Sequence, residues 1–217
     1  MVEIFPSLIS SDLLNLQKEI EILDSHCHGY HIDVMDDHFV PNLTWGTQFV
    51  EAIDKATAKP LWVHLMVDDP RRWVKILSLN ANSIISFHIE SSKETRTILD
   101  LIKKKNIVPS IAINPKTPIE TIFPFLDILP HVLVMSVEPG FSGQSFLPEV
   151  VQKVDLLRGY CQSRGFKCKI GMDGGIGKEN ISMLCKKGVE HFGIGSAIFE
   201  EKDRVGAINN LYKVSSS

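Results

Sequence analysis

Eight short β-rich runs alternate with amphipathic stretches along the chain, and this alternation constrains its fold more than any other feature. The runs are Glu3–Ile9, Tyr30–Met35, Leu61–Met66, Ser83–Ile89, Val108–Ile113, Val132–Val137, Lys169–Asp173 and His191–Gly195. Between them apolar residues recur at helical spacing, as in Leu13–Leu23 (Leu13, Leu16, Ile20, Leu23) and Thr95–Lys104 (Ile98, Leu99, Ile102). A strand-then-helix repeat of roughly 25 residues requires parallel strands joined by crossover helices, and eight such units close into a (β/α)8 TIM barrel. An open doubly wound sheet is the rival, but no Gly-x-Gly-x-x-Gly follows the first run. No Pro/Gly/Ser-rich linker divides the 217 residues, so one barrel domain over 1–217 is expected. The Ser215–Ser217 tail is expected to fray.

A formal net charge of -3 and the absence of a Lys/Arg block argue against nucleic acid or an anionic membrane as partner. A small molecule is the better expectation. Met1-Val2-Glu3-Ile4-Phe5-Pro6 enters a strand-like segment directly, and no apolar run reaches membrane-spanning length, so a soluble protein of the cytoplasm is expected. Cys27, Cys161, Cys168 and Cys185 form no Cys-x-x-Cys pair and read as plain thiols in a reducing compartment.

The polar residues gather at the carboxyl ends of the runs. Side chains alternate faces along a strand, so His31, Asp33 and Met35 share one face. Placing an imidazole beside a carboxylate there costs several kcal/mol unless something pairs with them. Ser7, His64, His88, Asn114, Glu138, Asp173 and Gly195-Ser196 fall at the same ends of other strands. Barrel chemistry sits on that rim, which argues for one active site. His31, Asp33, His64 and Asp173 make a donor set of two imidazoles and two carboxylates that suits one divalent ion; Zn²⁺ is the first choice, and Fe²⁺, Mn²⁺ and Co²⁺ tolerate the same ligands. His26-Cys27-His28 precedes strand 2 and reads as a solvated turn on the opposite rim.

Gly174-Gly175 after strand 7 and Gly195-Ser196 after strand 8 stand in the two loops that build a phosphate site in many barrels. Gly140-Phe141-Ser142-Gly143-Gln144 adds a third loop able to fold over a phosphate. Strands 2 and 7 are three steps apart in a ring of eight, so Asp33 and Asp173 would reach a bound molecule from different sides. If one removes a proton α to a carbonyl and the other returns it to the opposite face, that carbon inverts. A bound divalent ion would stabilise the enediolate formed between the two transfers.

From Pro6-Ser7 to Gly195-Ser196-Ala197-Ile198-Phe199 the chain closely resembles the ribulose-phosphate 3-epimerase family. The resemblance rests on His31-Ile32-Asp33-Val34-Met35-Asp36 with His38-Phe39-Val40-Pro41-Asn42, on His64-Leu65-Met66, on Met135-Ser136-Val137-Glu138-Pro139-Gly140-Phe141 and on Asp173-Gly174-Gly175-Ile176. It implies a ribulose-phosphate-binding barrel, an isomerase of pentose metabolism that interconverts D-ribulose 5-phosphate and D-xylulose 5-phosphate. It makes His31, Asp33, His64 and Asp173 the metal ligands, with Asp33 and Asp173 doubling as the acid/base pair. By the same resemblance Ser7 and His64 touch the sugar, and Met35, Met66 and Met135 pack over the reacting carbons. Gly140, Phe141, Ser142, Gly143, Gly174, Gly175, Gly195 and Ser196 line the phosphate end. A homo-oligomer is compatible with all of this.

Three positions depart from the family's pattern. Asp37 stands where Gly is usual, and Asp tolerates a left-handed turn better than most residues. Ser142 replaces the middle Gly of the phosphate loop. Gly171 occupies the place of a longer polar side chain, which leaves open what supports Asp173. A 3-epimerase of a hexulose phosphate of the allulose 6-phosphate type is the near rival, although that type implies a polar residue at 175. A decarboxylase on a related barrel lacks support, because His64 stands where strand 3 would need Asp-x-Lys-x-x-Asp. A non-enzymatic sugar-phosphate sensor is the distant alternative, with no use for both carboxylates.

Overall fold

The computed structural model describes residues 2–216. Among them, eight parallel strands form one sheet: β1 (Glu3–Pro6), β2 (Tyr30–Met35), β3 (Leu61–Met66), β4 (Ile84–His88), β5 (Val108–Ile113), β6 (His131–Met135), β7 (Lys169–Asp173) and β8 (His191–Ile194). Their order runs β1-β8-β7-β6-β5-β4-β3-β2, and an isolated parallel bridge from Ser7 to His31 closes the seam between β1 and β2. The expected barrel is therefore present. Val, Ile and Leu dominate the strands because both faces are buried, one against helices and one inside the barrel.

The outer layer consists of α1 (Leu16–Leu23), α2 (Thr47–Ala56), α3 (Pro70–Ile76), α4 (Thr95–Lys104), α5 (Val151–Arg164), α6 (Ile181–Lys187), the four-residue α7 (Ser196–Phe199) and α8 (Arg204–Ser215). α4 matches its expected span, burying Ile98, Leu99 and Ile102 and placing Lys103 and Lys104 in its last turn. α1 starts three residues later than its apolar spacing predicts. The Asp12 carboxylate accepts from the Leu14 N–H (3.1 Å) and from Asn15 Nδ2 (2.9 Å), a local turn that competes with the helix and leaves Leu14 95% exposed.

Two further expectations are corrected. Between β5 and β6 the crossover is a 3-10 helix over Ile119–Phe125 in place of an α-helix, since Pro124 inside it has no N–H to donate. At the other end α8 continues through Ser215, so that residue is helical and not frayed; Ser217 lies outside the described residues.

Inside the barrel, Phe5, Trp62, Ile84, Ala112, Leu133 and Met135 form an apolar plug below the rim. Gly171 belongs to this layer. A Cβ there would stand 2.6 Å from Trp62 Cη2 and 2.9 Å from the His131 ring, so Trp62 and His131 occupy the volume that a side chain at 171 would need. Gly171→Ala is expected to lower stability by roughly 1–3 kcal/mol through overpacking. Equilibrium urea unfolding measures this, and a variant as stable as the parent would mean that the plug yields freely. His26-Cys27-His28 does lie on the opposite rim, but it is not a fully solvated turn: Cys27 is buried, and His28 pairs with Glu3 (3.1 Å) and packs edge-on against Phe5. All four cysteines are free. Among the described residues no helix is long and apolar enough to cross a membrane.

Candidate active site

The cluster begins with the pairing of β2 and β3, whose register sets Asp33 beside His64 and His31 beside Trp62. Each points into the barrel by strand alternation. β7 brings in Asp173 at its last position, and β8 leaves room for it. A Cβ on Gly193 would lie 3.1 Å from Asp173 Oδ1 and 3.2 Å from His31 Nδ1, so a glycine in mid-strand lets side chains from β2 and β7 meet. The donor atoms of His31, Asp33, His64 and Asp173 all lie within 4.8 Å of one another. His31 Nε2 stands 3.1 Å from Asp33 Oδ1 and 3.6 Å from Asp173 Oδ2; His64 Nδ1 stands 3.3 Å and 3.6 Å from the same two atoms. One nitrogen of each imidazole and one oxygen of each carboxylate thus converge on a common point.

Charge balance in the cluster is internal. Burial alone would push the Asp33 carboxyl up, but His31 and His64 outweigh it and hold it below the usual carboxylate range. Asp173 is lowered too: burial and the Asp33 charge oppose ionisation, and His31 and His64 overcome them. Burial works against a charged His31 as well, yet Asp33 and Asp173 raise it to about 10. Both carboxylates are thereby kept ionised in a nearly dry pocket. Their remaining partners fix their orientation. Ser7 Oγ donates to Asp33 Oδ2 (2.5 Å), and Thr44 Oγ1 donates to the Asp33 carbonyl (2.7 Å).

Support for Asp173 comes from the residue that follows β6. Ser136 Oγ donates to the carbonyls of Asp173 (2.8 Å) and Gly174 (2.6 Å), and the Ser136 N–H donates to Asp173 O (2.9 Å). Backbone anchoring thus replaces whatever a side chain at 171 would contribute. Nothing in the sequence marks Ser136 for this role, because a hydroxyl that binds backbone carries no chemical signature there. Thr44 escaped for the same reason, and Gly193 escaped because its role is the space it leaves, although a glycine inside a strand does signal a close approach.

Above the cluster opens a cleft lined by Ser7, Asp33, Met35, Met66, Met135, Gly140, Phe141, Ser142, Gly143, Asp173, Gly174, Gly175, Gly195 and Ser196, all expected site residues. Gln144 of the expected third loop lines it too, and Ser10 and Val137 line it unforeseen. His31 and His64 are fully buried at the base of the cleft, outside the residues that line it. His64 Nδ1 faces the carboxylates and its Nε2 faces His88, which leaves no nitrogen for the cleft. Asn114 and Glu138 lie on the rim but outside the cleft; Glu138 reaches outward to Lys116 (2.7 Å).

The loop after β6 forms the lid. Gln144 Nε2 donates to the carbonyls of Glu138 (2.7 Å) and Phe141 (2.9 Å), and Asn42 Nδ2 donates to Gly140 O (2.8 Å). Gly174 (φ 110°) and Gly175 (φ 62°) meet it from below in a left-handed backbone. A Cβ at 175 would stand 2.5 Å from Phe146 N, so that loop and the lid pack backbone to backbone. Asp37 is left-handed as its departure implied (φ 59°), with its N–H donating to Asn42 O (2.9 Å).

Comparison with known proteins agrees with this geometry. The family model described as "Ribulose-phosphate 3 epimerase family" matches residues 3–199. A ribulose-phosphate 3-epimerase of Helicobacter pylori (strain J99 / ATCC 700824) is 40% identical over 213 residues, covering 98% of each chain. That of Bacillus subtilis (strain 168) is 35% identical, covering 97% of this chain and 98% of its own. Among solved structures, a 3-hexulose-6-phosphate synthase superposes with a TM-score of 0.66 at 12% identity, covering 98% of this chain and 97% of that one, a likeness of fold alone. The match along nearly the whole chain, over a span that contains the cluster and the loop after β6, places this chain in the ribulose-phosphate 3-epimerase family, a family of isomerases.

Proposed function

We propose that this chain epimerises a phosphorylated pentulose at C3, interconverting D-ribulose 5-phosphate and D-xylulose 5-phosphate with a divalent ion. The observation that carries the reading is the meeting of two ionised carboxylates from β2 and β7 on the floor of one cleft, with two imidazoles beside them. The donor set fits such an ion: four converging donors, and two carboxylates that neutralise a 2+ charge. Zn²⁺ is the first choice, with Fe²⁺, Mn²⁺ and Co²⁺ as substitutes. When bound, the ion supplies Lewis-acid stabilisation of negative charge on the substrate oxygens.

The chain's own residues do the rest. One of Asp33 and Asp173 takes the C3 proton, and the other delivers a proton to the opposite face. Ser7 holds Asp33 by its outer oxygen, which restricts which oxygen is free to carry a proton. Met35, Met66 and Met135 wall the reacting carbons with thioethers, keeping water away without offering a competing proton donor. Backbone amides of Gly140–Gly143, Gly174, Gly175, Gly195 and Ser196 receive the phosphate. The crowding at Gly175 supports the pentulose over the hexulose phosphate, because the polar residue implied there by the allulose 6-phosphate type would collide with Phe146.

A coupled assay on metal-analysed protein, run with pentulose and hexulose phosphates side by side, tests the substrate. Higher kcat/KM on the hexulose phosphate would reverse the choice, and no turnover of either would favour a sensor. For the lid, Ser142→Gly is expected to change KM or product release several-fold while metal content stays constant. Loss of bound metal in that variant would show that the loop serves the cluster and not the phosphate.

A further inference from the structure

His88, the last residue of β4, lies behind His64 and outside the cleft, with a role the epimerisation chemistry leaves unassigned. It is fully buried, and its ring stacks on that of His64 with centroids 5.0 Å apart and planes at 28°. The two Nε2 atoms are 2.8 Å apart. On the far side His88 Nδ1 stands 3.3 Å from Glu90 Oε2, while Glu90 Oε1 accepts the Asn114 N–H at 2.9 Å. The Glu90 carboxylate is therefore held from two directions, and Lys153 fixes one of them by donating to the Asn114 carbonyl (2.6 Å).

Hydrogen-bond polarity runs one way through this chain. A carboxylate accepts, so His88 carries its proton on Nδ1 and presents a lone pair at Nε2. Two nitrogens at 2.8 Å need one donor, which must be His64 Nε2–H. His64 thus keeps a proton on the nitrogen turned away from the cluster, and Nδ1, which faces Asp33 and Asp173, is the nitrogen left to give its lone pair to a cation held with them. Reversing the order would put a lone pair of His88 against the Glu90 carboxylate. His31 offers a contrast: its outer nitrogen, Nδ1, is buried with no hydrogen-bond partner.

We propose that Glu90 and His88 form a positioning relay that locks His64 in the tautomer able to ligate a divalent cation. The relay rests on the metal-site reading above and touches neither substrate nor reacting atoms. Orientation of a ligating histidine by a carboxylate usually acts on its second nitrogen directly; here an additional imidazole carries the effect across one more strand.

Two measurements test it, with zinc alone as the probe. In zinc-treated protein labelled with ¹⁵N-histidine, long-range ¹H–¹⁵N spectra are expected to show His88 protonated at Nδ1 only and His64 at Nε2. A His88 proton on Nε2 overturns the relay. Second, zinc affinity is measured by chelator competition in Glu90→Gln, whose amide must turn its NH2 either to the Asn114 N–H or to His88 Nδ1. His88→Phe is measured alongside, since it keeps a ring against Phe39 but no acceptor. Both should bind zinc about 10- to 100-fold more weakly. Parent affinity in folded variants overturns the proposal, and if a variant does not fold, the tautomers of the unsubstituted protein decide. A merely structural contribution would lower the melting temperature and leave the His64 tautomer and zinc affinity unmoved. Neither readout uses substrate, so a protein that passes both but turns over nothing refutes the epimerase reading alone.

Discussion

Stripping divalent ions from the protein is expected to abolish turnover and leave the barrel folded. The cluster lies on the floor of a rim cleft, whereas the barrel is held by the apolar layer between sheet and helices and by the Phe5–Trp62–Leu133 plug beneath. Without an ion, His31 raised to about 10 is positively charged between Asp33 and Asp173 and offsets part of their repulsion. Circular dichroism should therefore be unchanged within error after chelation, and turnover should return with Zn²⁺, Fe²⁺, Mn²⁺ or Co²⁺. Full activity in demonstrably metal-free protein would remove Lewis-acid chemistry from the proposal. Unfolding on chelation would instead give the ion a structural role, as in closed zinc sites.

Much of this site is legible in the sequence alone, and the reason is periodicity. Alternation along a strand forces His31 and Asp33 to one face, and eight repeats force their strand ends onto one rim, so the cluster follows once the barrel is granted. What stayed hidden depends on contacts that no local pattern encodes. Ser136 anchors Asp173 through its backbone, and Gly193 matters for the side chains it lets pass. Element ends were legible only where no side chain competed with the ladder or helix: α4 matched, while Asp12 delayed α1 and Leu8–Ser10 turned into a 3-10 helix where the first strand was expected to continue. The rim itself was too coarse a criterion. It admitted Glu138 and Asn114 to the site, although one reaches toward solvent and the other serves as a backbone anchor for Glu90.

Asp33→Asn and Asp173→Asn are each expected to suppress epimerisation by roughly 100-fold or more, as for the loss of a general acid or base. Both are also proposed ligands, so metal content has to be measured first, and only metal-replete protein speaks to proton transfer. In such protein the surviving carboxylate can still remove a proton from the epimer whose C3–H faces it. Each variant should then exchange the C3 proton of one epimer with D₂O without completing the inversion, and the exchanging epimer should differ between the two variants. Proton NMR in D₂O follows exchange and inversion in the same sample. The environments of the two groups favour separate roles, since Ser7 ties Asp33 by Oδ2, whereas the imidazoles approach Asp173 on Oδ2 and its Oδ1 lies against Gly193. Near-normal inversion by either metal-replete variant would defeat the two-base mechanism and leave a single base that reaches both faces of the carbon.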